Sequence, residues 1–187
     1  MIKPPECSFR KSSMDKTLDL LRKRNPIILE YGMVRHPENW EGDGFSTIHF
    51  AYHIAQYNGM LISVDIESVN VFVSHQLLKK YEIPQKNVFL ICADALCFME
   101  RMKLEYVDLL YLDAWDCDGG KLEESAKMHM HAFNMSEKWL RSGSLVLIDD
   151  IISQDTLAGK GQYLIPYLRN IGYEELHRGY QFLFRKP

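Results

Sequence analysis

Acidic residues stand at or next to the ends of five apolar segments, and this pattern is the clearest indication of chemistry in the sequence. Such segments are typical of short buried β-strands. The carboxyl ends of parallel strands meet at one edge of a sheet, so we expect these side chains to lie together around a ligand. The strand-end residues are Glu30 with Gly32, Asp65, Asp94 with its neighbour Ala93, Asp113, and the pair Asp149 and Asp150.

A glycine-containing turn follows the first of these segments. Segment 27–32 ends in glycine, and after a polar loop the chain continues through Gly44 to the hydroxyl residues Ser46 and Thr47. We predict that Ser46 or Thr47 caps a helix there. A strand, a turn and a helix N-terminus present backbone N–H groups and a helix dipole to a ligand. The pattern predicts a nucleotide-type crevice, whose acidic mouth suits ribose hydroxyls and a cationic centre better than a pyrophosphate.

The loop between Gly32 and Gly44 differs from a dinucleotide-binding turn. The fingerprint G-x-G-x-x-G is absent, which argues against a nicotinamide cofactor. The loop holds 11 residues, whereas about two to six are usual between a strand and a helix. Long loops are often functional, and we predict that Trp40 forms an apolar wall of the pocket.

Length and composition predict one domain covering residues 1–187. The chain is 47% apolar and 12% aromatic, enough for one buried core. Its net charge of −3 comes from interspersed charges without a basic stripe, which argues against nucleic-acid binding. No apolar run approaches the roughly 20 residues of a membrane span, and no signal peptide is recognisable, so a cytoplasmic protein is expected. The four cysteines form no C-x-x-C pair and are predicted to be buried thiols.

Strand-like and helix-like segments alternate along the chain. This order predicts an α/β fold with an open Rossmann-like sheet and helices on both faces. The last two strand-like segments are joined by a very short link and are predicted to pair antiparallel. The predicted strands are 27–32, 60–65, 88–92, 107–113, 144–148, 173–177 and 180–184, and the predicted helices are 12–24, 47–57, 67–81, 95–102, 122–140 and 162–170.

Six short motifs, in this order and spacing, resemble those of class I S-adenosylmethionine-dependent methyltransferases. Their spelling is similar to the metal-dependent O-methyltransferases of small molecules, catechol O-methyltransferase among them. The resemblance implies a seven-stranded sheet in the order 3-2-1-4-5-7-6 with the last strand antiparallel. Segment 159–161, Gly-Lys-Gly, also resembles relatives of the cephalosporin-biosynthesis methyltransferases. The six motifs are LEYG at 29–32, GFST at 44–47, VDI at 64–66, CAD at 92–94, YLDAW at 111–115 and LVLIDD at 145–150.

The resemblance implies a site for S-adenosylmethionine in which one group of residues meets the methionine part. Glu30, Gly32 and Gly44 would face this part of the cofactor. Ser46 and Thr47 would lie near its carboxylate, at the N-terminus of the following helix.

A second group of residues would hold the nucleoside of the same cofactor. Asp65 would bind the ribose, because a carboxylate can accept hydrogen bonds from both hydroxyls. Ala93 and Asp94 would meet the adenine, and Trp115 would pack on its ring. Local explanations stay open, since Asp65 could instead cap the next helix and Trp115 could be an ordinary core residue.

Asp113, Asp149 and Asp150 are predicted to meet at two adjacent strand ends. Three converging carboxylates are costly unless a cation or protons neutralise them. In the enzymes that the chain resembles, this place holds Mg²⁺, bound by two Asp and an Asn whose position is taken here by Asp150. The resemblance implies an optional Mg²⁺ that would hold the acceptor hydroxyl and lower its pKa. Alternatively, Asp149 or Asp150 caps a turn or pairs with Lys160 or Arg35.

The general base is where the chain departs from the catechol-type enzymes. They have a lysine one residue after the tryptophan, whereas this chain has Asp116. We therefore predict Asp113 and Asp116 as the catalytic carboxylates, with His36, His129 or Lys160 as other candidate bases.

The chain before the first predicted strand is short, with 26 residues. We expect the acceptor pocket to be completed by loop 34–44, by segment 155–161 or by a second copy of the chain in a homo-oligomer. The predicted function is methyl transfer from S-adenosylmethionine to a hydroxyl of a small molecule. A catalytically silent binding protein of the same fold and an NAD(P)-dependent oxidoreductase stay open as alternatives.

Overall fold

The computed structural model describes residues 1–22, 25–117 and 119–187. Residues 23 and 24, which end the first predicted helix, lie outside the described residues. The helices are α1 (Lys11–Leu20), α2 (Trp40–Asp43), α3 (Ser46–Tyr57), α4 (Ser68–Lys80), α5 (Ala95–Arg101), α6 (Leu122–Ser136) and α7 (Leu164–Asn170), with a 3₁₀ turn at Glu137–Trp139. The strands are β1 (Ile27–Tyr31), β2 (Met60–Asp65), β3 (Val88–Cys92), β4 (Val107–Leu112), β5 (Leu140–Ile148), β6 (Ile151–Ser153), β7 (Ala158–Gly159), β8 (Glu174–His177) and β9 (Phe182–Arg185).

Seven of these strands form one sheet in the order β3-β2-β1-β4-β5-β9-β8. Strands β1 to β5 pair in parallel, and β9 runs antiparallel between β5 and β8. If the seven strands are numbered along the chain, the order is 3-2-1-4-5-7-6. The predicted sheet order and the antiparallel last strand are therefore confirmed.

Helices cover both faces of the sheet, as predicted. One core cluster joins the sheet to α5, α6 and α7, and the other joins it to α1, α3 and α4. Every residue of β4 is buried, which accounts for the unbroken run of mostly apolar residues in the sequence. The order of strands reverses between β1 and β4, and a crevice is expected outside the carboxyl ends of these strands.

The structure also adds a short hairpin that the sequence does not predict. Strands β6 and β7 pair antiparallel in a separate sheet of two strands, directly after β5. Two and three residues are too few to show an alternating apolar pattern. This hairpin returns the chain to the carboxyl edge of the main sheet, next to Asp150.

Three local predictions are wrong. Phe45, not Ser46 or Thr47, precedes α3 as its N-terminal boundary, and it does so without a side-chain cap. The predicted helix 122–140 ends at Ser136, and the long strand β5 begins at Leu140. Of the cysteines, only Cys7 is buried, because Cys92 lies at the end of the edge strand β3 and Cys97 lies on the outer side of α5.

No described helix is long and apolar enough to cross a membrane.

Candidate functional site

A cavity of about 510 Å³ opens at the carboxyl ends of β1, β2 and β4. Ligand pockets typically enclose about 300 to 1,000 Å³, so this one is large enough for a nucleoside. Both segments that were predicted to complete the pocket line it, the loop after β1 through Arg35, Gly42 and Asp43 and the segment after β7 through Lys160. Trp40 lies exposed at the start of α2 and does not line this cavity, so the prediction that it forms a wall is wrong here.

Gly32 closes the turn after β1 against the end of β4. Its φ is 93°, and an added Cβ would lie 2.9 Å from the backbone of Asp113 and Ala114. A side chain would therefore collide with the chain that leads out of β4, and the positive φ would be strained as well. Glycine allows the two loops to approach each other at the floor of the cavity.

Asp65 extends from the end of β2 into the same cavity. One of its carboxylate oxygens accepts from the Met33 N–H at 2.8 Å, and the other accepts from the Glu67 N–H at 2.9 Å and from Asn70 Nδ2 at 3.1 Å. The bond to Glu67 supports the start of α4, so the local interpretation of Asp65 applies in part. Because a carboxylate offers about four acceptor sites, room remains for one more hydrogen bond.

Asp94 and Trp115 lie on the same cavity as Asp65. Asp94 caps α5 by accepting from the Cys97 N–H at 2.9 Å, and its partner Ala93 does not line the cavity. Trp115 is half-buried and adopts a φ of 54°, which is rare for a bulky residue. Its ring meets His129 edge to face with the ring centres 5.4 Å apart. Trp115 thus contributes to the core and also to the cavity wall.

Glu30, Ser46 and Thr47 do not line the cavity, although the sequence predicted that they meet the cofactor. All three are buried. The Ser46 hydroxyl donates to the Glu30 carboxylate at 2.6 Å, and Ser63 on β2 donates to its other oxygen. Burial raises the pKa of Glu30 to about 8 even though the serine hydroxyls oppose the shift. In this structure Glu30 joins β1, β2 and α3 behind the cavity.

Asp113, Asp149 and Asp150 come together as predicted. One oxygen of each lies within 4.8 Å of the others, at the ends of the neighbouring strands β4 and β5. Asp149 is fully buried and also accepts from the Tyr111 hydroxyl. The Asp150 side chain accepts from the Tyr180 hydroxyl at 2.5 Å.

Arg10, from the segment before α1, reaches this cluster of carboxylates. Its Nε lies 2.8 Å from Asp149, and one terminal nitrogen lies 3.0 Å from Asp150. The other terminal nitrogen donates to the Gly42 carbonyl at 2.9 Å. Burial alone would lower the pKa of Arg10, but the adjacent Asp149 outweighs it and the pKa is raised. Arg10 is therefore a permanent buried cation.

Lys160, just after β7, is the second cation of the cluster. Its ammonium lies 2.5 Å from Asp113 Oδ1 and 2.8 Å from Asp150 Oδ2, and it also donates to the Asp113 carbonyl at 2.8 Å. Burial would lower the pKa of Lys160, but the carboxylates of Asp113 and Asp150 raise it overall. In turn Lys160 lowers the pKa of Asp150 to about 2, against the effect of burial.

These contacts decide whether the cluster fits a divalent cation. Each of the three carboxylates already contacts a guanidinium or an ammonium group. A divalent ion bound to the same oxygens would lie beside both cations and be repelled by them. The residues present therefore do not fit a dedicated Mg²⁺ site. Pairing of Asp150 with Lys160 was one alternative from the sequence, whereas Arg35 pairs elsewhere.

The candidate bases are placed very differently. Asp116 is exposed on the cavity rim and pairs with Arg35 at 2.7 Å. His129 is fully buried, and burial followed by the charge of Lys160 lowers its pKa to about 3. Neither His129 nor His36 lines the cavity. Of the four candidates, Asp116 and Lys160 reach it.

The sequence did not indicate Arg10, Tyr180 or Asn70 as site residues. Arg10 lies 139 residues before Asp149, in a polar segment without any motif. Asn70 is on the first turns of α4, where it follows Asp65 by five residues. A search for a polar side chain in the first turn of the helix that follows a strand-end Asp could have found Asn70, but no local signal links Arg10 or Tyr180 to the site.

Comparisons with solved structures show proteins of the same fold. An O-methyltransferase from Bacillus cereus in complex with S-adenosylhomocysteine is 16% identical, with a TM-score of 0.63 over 98% of this chain and 84% of that one. The O-methyltransferase TomG from Streptomyces achromogenes, involved in tomaymycin synthesis and solved with S-adenosylmethionine, is 15% identical with a TM-score of 0.64 over 95% and 81%. A methyltransferase from Geobacter sulfurreducens is 12% identical with a TM-score of 0.62 over 100% and 81%.

Comparisons of the sequence itself give no match. No family model and no curated protein matches this chain. The structural similarities show that the chain has the fold of the class I S-adenosylmethionine-dependent methyltransferases.

Proposed function

We propose that this chain transfers the methyl group of S-adenosylmethionine to a hydroxyl group of a small molecule. The observation that carries the proposal is the meeting of Asp65, Asp94 and Trp115 on one cavity at the carboxyl edge of the sheet. When bound, S-adenosylmethionine supplies a sulfonium methyl group, whose S–C bond breaks as the new C–O bond forms. The fold shared with O-methyltransferases supports the reaction class.

The nucleoside side of the cavity supports this cofactor better than a dinucleotide. The free acceptor capacity of Asp65 suits a ribose hydroxyl, and a phosphate there would be repelled by the carboxylate. Asp94 lies at the start of α5, where it can accept from an adenine amino group. The half-buried indole of Trp115 offers an apolar face for the purine.

The residues that we assign to the acceptor side of the cavity are charged groups and the apolar side chain of Ile152. Lys160 and Asp113 line the cavity from within the cluster, Asp116 lies at the rim, and the exposed side chain of Ile152 lines the same cavity. Within the described part of the chain, the Asp113 Oδ2 atom accepts a single long hydrogen bond, from the Tyr111 hydroxyl at 3.3 Å, so among the cluster oxygens it is available to an acceptor hydroxyl. Asp116, open to solvent, would carry the released proton away.

The sequence also predicted that Mg²⁺ assists the reaction and that the chain forms a homo-oligomer. The ion pairs of Arg10 and Lys160 weigh against Mg²⁺, and the proposed reaction does not use it. A second copy of the chain could still cover the open acceptor side. Light scattering of the purified protein would decide between a monomer and an oligomer.

Calorimetric titration tests the cofactor, and a turnover assay tests the reaction. We expect saturable binding of S-adenosylhomocysteine and no binding of NAD at the same concentrations. Binding of NAD alone would identify an oxidoreductase and contradict the proposal. With labelled S-adenosylmethionine, a panel of phenols, catechols and sugars should give a labelled O-methyl product. Binding without any turnover across a broad panel would instead support the catalytically silent binding protein.

A further inference from the structure

The cluster of Asp113, Asp149 and Asp150 holds two protein cations, Arg10 and Lys160. Both are almost inaccessible to solvent, with side-chain exposures of 6% and 2%. Buried cations of this kind are strongly destabilising unless carboxylates pair with them, and buried carboxylates have the same need for cations. The two sets of charges therefore depend on each other.

We propose that Arg10 and Lys160 take the place of a divalent cation, so that this acidic edge is neutralised by the chain itself and does not bind Mg²⁺. The inference concerns only the ionic state of the cluster, and it holds whether or not the protein transfers methyl groups.

Hydrogen bonds occupy most of the carboxylate acceptor sites that a metal ion would need. Asp149 accepts from Arg10 Nε, from the Tyr111 hydroxyl and from the Asp150 N–H at 2.7 Å. Asp150 accepts from Arg10 and Tyr180 on one oxygen and from Lys160 on the other. A carboxylate has about four acceptor sites, and three are used on each of these residues.

Mg²⁺ needs a different set of ligands. It requires near-ideal octahedral geometry, with oxygens at about 2.1 Å, and it strips its water reluctantly. Among the described hydrogen bonds of the three carboxylates, the weakest contact is at Asp113 Oδ2, which accepts from the Tyr111 hydroxyl at 3.3 Å. To bind the ion through two or three carboxylates, the cluster would have to release Arg10, Lys160 or both from buried ion pairs.

The backbone holds Lys160 in place. The preceding residue, Gly159, has a φ of 127°, and a Cβ there would lie 2.1 Å from the Asp150 carbonyl oxygen. Only glycine permits this approach, because any side chain would push β7 away from Asp150. The Lys160 N–H also donates to the same carbonyl at 3.3 Å. Lys160 is therefore built into the hairpin that returns to the cluster.

The test compares the response to Mg²⁺ of the unchanged protein and its Lys160→Gln variant. Thermal melting is followed with increasing MgCl₂, and NaCl of equal ionic strength is the reference for general salt effects. We expect no Mg²⁺-specific rise in the melting temperature of the unchanged protein. Removal of the ammonium frees Asp113 and Asp150, so Lys160→Gln should gain a specific rise of about 5 °C or more at a hundredfold excess over Kd.

Lys127→Gln is the matched control, because it removes one lysine charge from an exposed ion pair on α6. It should melt without a Mg²⁺-specific response. A specific, saturable rise in the unchanged protein would overturn the proposal. A flat response in both the unchanged protein and Lys160→Gln would overturn it too, because the ammonium would then not be replacing a metal.

A direct titration keeps the question decidable if Lys160→Gln fails to fold. Mn²⁺ is the probe, and its free concentration is followed by electron paramagnetic resonance while unchanged protein is added. We expect all added Mn²⁺ to remain free at millimolar concentration. Stoichiometric loss of the free Mn²⁺ signal, competed by Mg²⁺ and abolished by Asp113→Asn, would show a metal site and contradict the inference.

Discussion

Gly44 lies directly against Arg10: a Cβ built on Gly44 would be 2.5 Å from Arg10 Cδ. The turn before α3 and the segment before α1 are thus fitted to each other, although 33 residues separate them in sequence. The guanidinium beyond this contact neutralises Asp149 and Asp150. Gly44, which the sequence motif predicted to lie in the cofactor-binding turn, therefore also positions Arg10 beside the acidic cluster.

Gly44→Ala should displace Arg10 and destabilise the protein. Its φ of 68° adds strain of about 1 kcal/mol for any side chain. The collision with a buried side chain should add about 1 to 3 kcal/mol. Gly143→Ala is the control, because its φ is also positive, at 86°, but no atom of the described residues lies within 4 Å of its Cβ position. Urea unfolding should show a larger loss for Gly44→Ala; equal losses would mean that Arg10 adapts freely.

Glu30→Gln should flatten the pH dependence of stability. Burial raises the pKa of Glu30 to about 8, so the folded protein keeps a proton that the unfolded chain releases near pH 4.5. The stabilisation is complete below the unfolded pKa and is lost as the pH rises through about 8. Between pH 5 and 8 the melting temperature of the unchanged protein should fall relative to that of Glu30→Gln.

Glu124→Gln, an exposed position on α6, is the control for this measurement. It should reproduce the pH profile of the unchanged protein. Parallel profiles for all three proteins would contradict a protonated Glu30 in the folded state.

The sheet and its acidic edge could be predicted because both follow from local patterns. The strands β1, β2, β4 and β5 are apolar runs that end near an acidic residue, and parallel strands place such ends together. The position of Glu30 could not be decided in this way. It precedes the last residue of β1, and its side chain turns to Ser46 and Ser63 instead of the cavity.

The neutralisation of the cluster could not be predicted from local patterns either. The sequence indicated that three converging carboxylates must be neutralised. It could not show what neutralises them, because a metal ion, bound protons and protein cations would all do so. Lys160 and Arg35 were considered as partners of Asp149 or Asp150. Arg10 was not, since no periodicity or motif joins residue 10 to residue 149. Long-range ion pairs of this kind depend on the packing of α1 against the completed fold.

Asp149→Asn should be strongly destabilising, by about 3 to 5 kcal/mol, because it leaves Arg10 buried with an incomplete set of anions. An unneutralised acidic cluster would behave in the opposite way, since loss of one carboxylate would relieve repulsion. Asp15→Asn breaks an exposed pair with Lys11 and should change stability by less than about 1 kcal/mol. Urea unfolding at neutral pH measures both; a neutral or stabilising Asp149→Asn would contradict the ion pair.

Asp65→Ala should weaken the binding of S-adenosylhomocysteine at least about tenfold. Loss of a charged acceptor for a ribose hydroxyl costs about 1.5 to 3 kcal/mol, and each 1.4 kcal/mol is a factor of ten in affinity. Because Asp65 also accepts from the Met33 and Glu67 N–H groups, the variant's melting curve must first show that it folds.

In the same assay, Asn70→Ala tests whether binding depends on the Asp65 carboxylate itself or on the side chain that hydrogen-bonds to it. It removes the 3.1 Å side-chain bond to Asp65 but keeps the carboxylate, so it should weaken binding much less than Asp65→Ala. Asp155→Ala, which removes an exposed carboxylate away from the cavity, should bind normally. If Asp65→Ala folds and binds within twofold of the unchanged protein, Asp65 does not hold the ribose. The proposed function would then lose its main support, because it depends on Asp65 meeting the cofactor together with Asp94 and Trp115.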